Sequence, residues 1–152
     1  MKIYKLLVVS LLGCLQFANA DPAPSSSFLG TGDSLSALYG ADVKFKEPSG
    51  SGDVSLPRFT WRDKQGSTEW IQYDFPSEQT IGATALYWCD DRSNIAAPAS
   101  WSVSYRNSLG VWTPVAGSSG YGTARDVYNW VSFNPVSTTA LRINVQLQSG
   151  KT

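Results

Sequence analysis

A repeat of two residues, rather than 3.6, runs through this chain and restricts its fold more than any other feature. In Trp101-Ser102-Val103-Ser104-Tyr105 the alternation of apolar and polar residues is strict. Over Glu69–Phe75, Ile71, Tyr73 and Phe75 fall on one face, because successive side chains of a strand point to opposite sides. Related runs occupy Ala83–Trp88, Val111–Val115, Asn129–Phe133 and Leu141–Leu147, separated by Gly, Pro, Ser and Asn. One buried and one wet face per strand is the pattern of an antiparallel sandwich. Strands at this spacing predict an all-β sandwich or barrel.

Successive antiparallel strands put every second connection at the same end. The loop before Glu69, the loops Cys89–Pro98 and Gly117–Tyr128, and the tail from Gln148 then gather at one end. Pro76–Ile81, Ser108–Gly110 and Ser137–Thr139 become tight turns at the other. Long loops on a rigid scaffold are where binding residues concentrate, so the long-loop end is the expected site.

The first twenty residues read as an export signal. Lys2 and Lys5 precede the apolar run Leu6–Leu12, and Ala18-Asn19-Ala20 supplies a small-x-small cleavage pattern. The run is too short to span a bilayer. A competing reading makes Leu11-Leu12-Gly13-Cys14 a lipoprotein box, with lipid on Cys14. The expected location is therefore secreted or periplasmic. Residues 21–34, rich in Pro, Ser and Gly, read as a flexible tether, and residues 35–152 as one domain.

Cleavage after Ala20 leaves 132 residues with ten basic and twelve acidic side chains. No basic stripe suits a phosphate backbone, which argues against nucleic acid as a partner. Histidine is absent, which removes the commonest general base and the usual nucleophile triads. Cys89 is then the only cysteine, so no intramolecular disulfide forms; it reads as buried and inert.

Several segments carry a resemblance. Ser55-Leu56-Pro57-Arg58-Phe59-Thr60-Trp61, Lys64–Thr68 and Glu69–Phe75 resemble a discoidin-like (coagulation-factor type C) domain. Tyr87-Trp88 followed by Asp90-Asp91, Pro98-Ala99-Ser100-Trp101, Trp112–Val115, Tyr121-Gly122-Thr123 and Thr138–Gln148 extend it over about residues 35 to 148. The version it resembles is appended to glycoside hydrolases similar to family 127 β-L-arabinofuranosidases. The resemblance implies a galactose-binding-like jelly roll, binding glycans through loops at one end and serving a glycoside hydrolase. Relatives continue past Lys151-Thr152 into a last strand, which this chain is expected to lack, leaving a sheet edge open. The resemblance also implies a structural calcium near the first strand, with Asp42 and Asp53 the nearby carboxylates; no metal ligands are assigned and no cofactor is expected.

The expected role is reversible, non-catalytic carbohydrate binding by a monomer. Trp61, in a polar connection, is the best candidate for stacking on a pyranose, and Trp130 is the second. Trp70, Trp88, Trp101 and Trp112 read as core or rim packing. Stacking on half an indole supplies roughly 2.5 kcal/mol, short of the about 4 kcal/mol that millimolar binding needs. Polar groups must add the rest, and Asp63, Asp90, Asp91, Arg92, Arg125 and Asp126 all fall on the long loops. Tyr121 is either a platform or a plug for the sandwich. A glycosidase reading of Asp90, Asp91 and Asp126 fails for want of a buried acid beside an exposed one. The alternatives to glycan binding are a structural or protein-interaction accessory domain and a truncated remnant.

Overall fold

A computed structural model describes residues 2–10, 22–38, 48–90, 92 and 94–151. Cys14, Ala18–Ala20, Asp42 and Asp91 lie outside the described residues. The described residues form six strands: β1 (Lys2–Ser10), β2 (Ala23–Ser26), β3 (Thr68–Cys89), β4 (Ser100–Arg106), β5 (Trp112–Pro114) and β6 (Tyr128–Gln146). All pairings are antiparallel, in the order β1-β3-β6-β4-β5, with β2 also on β3. One short 3₁₀ turn, Leu35–Ala37, is the only helical element among the described residues.

Two of the expected tight turns are not turns. The runs 69–75 and 83–88 belong to one 22-residue strand, β3, and 129–133 and 141–147 fall mainly in β6. A straight strand of that length would reach about 70 Å, nearly twice the width of a domain this size, so the ribbon must bend. It does so where the register slips: between Asp74 and Gln79, β3 advances five residues against two of β6, and between Ile81 and Ala83 β6 takes up the excess. Pro76 and Pro135 fall in these two irregular stretches, and neither can donate to a ladder. The bend brings the two halves of the ribbon face to face. Ile71, Tyr73, Leu141 and Ile143 from one half share a buried cluster with Leu86, Trp88, Val131 and Phe133 from the other. The result is the galactose-binding-like sandwich expected.

The tether reading is corrected for its described part. Ala23–Ser26 pair with Ile71–Asp74, and the Phe28 ring packs against the core beneath the Lys64 ammonium, 4.7 Å from its centroid. The serines that suggested flexibility are in use. Ser27 and Ser67 hydroxyls both donate to the Glu69 carboxylate, which is only 8% exposed; the Trp70 amide donates to Ser27 Oγ at 2.9 Å. Pro24 is tolerated because β2 is an edge.

β1 pairs with the C-terminal half of β3, from Lys2 opposite Cys89 to Ser10 opposite Ile81. Residues 2–10 of the segment read as an export signal thus lie along a sheet edge here.

The core holds polar groups that cost stability, Thr84 the most deeply buried of its threonines. Thr84 is fully buried and its hydroxyl has no hydrogen-bond partner among the described residues. An unpaired buried hydroxyl costs about 1–3 kcal/mol, and valine has the same shape. Thr84→Val is expected to raise stability by about 1 kcal/mol in urea unfolding; a loss would mean that the hydroxyl is satisfied in solution.

Candidate functional site

The long loops do gather at one end, and what gathers them is aromatic. Trp88, at the end of β3, packs edge-on against Trp101 at the start of β4, with centroids 5.7 Å apart. Trp101 meets Tyr121 in the same manner at 5.0 Å. Both indole N–H groups donate to the Gly122 carbonyl, at 3.3 Å from Trp88 and 2.6 Å from Trp101. Gly122 is required there, since a Cβ would come within 2.7 Å of Asn129 Oδ1. Tyr121 is therefore the plug of the two readings, its hydroxyl also accepting from the Val103 amide at 3.3 Å.

Buried Asn129 fixes the rest of that loop. Its oxygen accepts from the Ala124 amide at 2.9 Å, and its amide group donates to the carbonyls of Ala124, Val127 and Leu86. The Asp126 amide donates to the Trp88 carbonyl at 3.0 Å. Ser51, from a third loop, then ties the group: its hydroxyl donates to Asp126 Oδ1 and accepts from the Asp90 amide at 2.9 Å. Asp90 in turn accepts from the Arg92 amide at 2.6 Å.

Asp90, Arg92, Arg125 and Asp126 thus sit on loops held together, with Arg92 and Asp126 exposed. Arg125 is half-buried and forms no hydrogen bond or ion pair among the described residues. Asp91 lies outside the described residues. Asp63 is exposed on the Trp61–Ser67 turn, beside the tail through Gly66 N–H to the Gln148 carbonyl, and no contact links it to Ser51 or Asp126 among the described residues. Three non-glycine residues have left-handed backbones: Asp63 (φ 71°), Arg92 (φ 60°) and Asp126 (φ 58°). All three are on loops expected to bind. Such conformations are uncommon outside glycine and cluster where a side chain must be aimed.

Three expectations about tryptophan are overturned. Trp61 is fully buried and stands edge-on to Phe59 at 5.1 Å in the main core, so no sugar can stack on it. Trp70 and Trp112 pack neither core nor rim. They lie on the outer face of the sheet with the Arg142 guanidinium between them. Trp130 is 54% exposed on the outer face of β6, the most open indole of the six.

Sequence reasoning missed Ser51 and Asn129, whose roles depend on contacts across 39 to 75 residues in one case and on a buried loop in the other. It also missed Tyr87. Burial, then the Asp126 carboxylate, pushes its hydroxyl up to about 12, so it stays neutral beside the loops. Asp53, the described one of the two carboxylates near the expected calcium position, is engaged by serines. Ser49 and Ser55 donate to its two oxygens through both amide and hydroxyl, which holds its carboxyl well below the usual range. No cluster of three metal-ligating side chains exists among the described residues.

The F5/8 type C domain family matches residues 25–152. The chain belongs to that family. The match starts inside the stretch read as a tether, in keeping with strand β2. No curated protein matches the sequence. Among solved structures this F5/8 type C domain is similar to a chain of the Streptococcus pneumoniae beta-galactosidase BgaA, at 17% identity and a TM-score of 0.70, over 99% of this chain and 92% of that one. It is also similar to the family 32 CBM of C. perfringens NanJ, solved in complex with galactose, at 15% identity and a TM-score of 0.56, over 84% and 83%. A third is chitosan-binding module 1 from the chitosanase/glucanase of Paenibacillus sp. IK-5, at 18% and 0.53, over 84% and 83%. At these identities the likeness establishes the fold, and the site must be argued from its own residues.

Proposed function

We propose that this F5/8 type C domain is a non-catalytic carbohydrate-binding module whose site is the loop group of Ser51, Asp90, Arg92, Arg125 and Asp126. The observation that carries the reading is the left-handed backbone of Arg92 and Asp126, the latter on a loop fixed by Trp88, Trp101 and Asn129 and tied through Ser51 to Asp90. Both side chains are exposed, Asp126 held through Oδ1 by Ser51, and a ligand rich in hydroxyls can meet both. Carboxylates accept from sugar hydroxyls and guanidinium groups donate to them. A site fixed before binding loses little entropy on engagement. A fold relative solved with galactose and another named a chitosan-binding module support the ligand class. Exposed Trp130, two residues beyond Tyr128 on the same strand, extends the surface with an indole on which a second sugar can stack.

The proposal includes export through residues 1–20 and service beside a glycoside hydrolase. The test is a thermal-shift panel of neutral polysaccharides on the full chain, followed by variants. A glycan that binds only the folded state raises its melting temperature. Asp126→Asn and Asp90→Asn keep shape and lose charge. Each is expected to weaken that glycan about tenfold, the loss of one charge-assisted hydrogen bond, while unfolding at the wild-type temperature without ligand. Unchanged affinity in both would place the site elsewhere.

A further inference from the structure

The outer face of the sheet carries a second arrangement that the loops do not use. Pairing places Trp70 and Gln72 of β3 opposite Asn144 and Arg142 of β6, with Ser104 of β4 beyond Arg142 and Trp112 of β5 at the edge. The Arg142 guanidinium carbon lies 4.3 Å from the Trp70 ring centroid and 4.1 Å from that of Trp112. Of its five N–H donors, one reaches Gln72 Oε1 at 2.6 Å, and Nε is buried without an acceptor among the described residues. The two indoles flank the cation, and no acceptor among the described residues other than Gln72 takes a hydrogen bond from it.

Neighbouring groups decide what could. Asp74 is already shared by Arg106, at 3.2 Å, and the Gln72 amide, at 2.6 Å. Asn144 donates to Ser104 Oγ at 3.0 Å. Two arginines against one carboxylate leave the face with an excess positive charge. A neutral sugar finds poor stacking here, because each indole already turns one face to the guanidinium. A carboxylate finds a planar donor fork held in place, the geometry arginine presents and lysine does not.

We propose that this face is a second binding site, for a polysaccharide bearing carboxylates on its sugar rings, with Arg142 reading the carboxylate and Trp70 and Trp112 fixing the arginine. The site is separate from the loop group and does not depend on it.

Affinity electrophoresis of the full chain tests it, in native gels containing polygalacturonate and in gels containing its fully methyl-esterified form. Wild type is expected to be retarded by the acid and not by the ester. Arg142→Lys, which keeps the charge and loses the fork, is expected to lose at least tenfold in retention. Asp126→Asn, which addresses the loops, is expected to keep it, so that either site can fail without the other. No retardation of wild type, equal retardation by acid and ester, or full retention by a folded Arg142→Lys variant would each overturn the proposal. Should the lysine variant not fold, Arg142→Gln replaces it, and full retention by a folded glutamine variant overturns the proposal.

Discussion

Trp88→Ala is expected to destabilise the domain by about 4 kcal/mol, the range for emptying a tryptophan site in a packed core. Such a loss is a large fraction of the roughly 5–15 kcal/mol that holds a domain together, and it should lower the melting temperature by about 8–16 °C at this chain length. Two consequences of one residue combine. Trp88 is fully buried between the layers, and its indole N–H is one of two that hold the Gly122 carbonyl. The variant should therefore lose the order of the 121–127 loop along with its stability. Trp88→Phe separates the two, keeping most of the volume and losing the hydrogen bond, at an expected cost nearer 1–2 kcal/mol. Urea unfolding measures both. An alanine variant within 1 kcal/mol of wild type would show that the ring does not fill the core.

Removal of residues 1–20 is the second large effect. β1 contributes a ladder from Ile81 to Cys89 along the edge of β3, and with it gone the backbone groups of that edge face water. A chain beginning at Asp21 is expected to melt about 10 °C lower, equivalent to roughly 3 kcal/mol. It should also self-associate with rising concentration, because an open edge is a template for another strand. Calorimetry and light scattering on the two chains measure these effects. Equal melting temperatures and a monomer at high concentration would mean that the edge is stable unpaired.

The legible part of the fold was whatever a face could reveal. The inward sets Ile71-Tyr73, Trp101-Val103 and Leu141-Ile143-Val145 follow directly from alternation, and all are buried. The same alternation contained the correction for Trp70. A residue adjacent to Ile71 must point away from it, so an inward Ile71 already excluded Trp70 from the core. Trp61 was misjudged because polar neighbours along the chain do not describe neighbours in space; Phe59 and the folded loops cover it. The bends in β3 and β6 resembled turns because proline and serine mark both. Only pairing distinguishes a strand that reverses from one that bends. The loop site was legible in outline through Asp90, Arg92 and Asp126, but the ties that make it a unit, Ser51 and Asn129, are long-range or buried and left no local mark.

The bent ribbon also sets how the molecule reaches its native state. Its two strands serve both layers, so neither layer is a separable unit, and a single cooperative transition follows. The ladder's nearest partners along the chain are Tyr87 and Tyr128, and its farthest are Thr68 and Gln146. Assembly must first close that intervening segment and then zip outward through two register slips. Loop closure is paid before the contacts that reward it. Refolding should accordingly take milliseconds to seconds, with the loop end of the sandwich forming before the sheet face that carries Arg142.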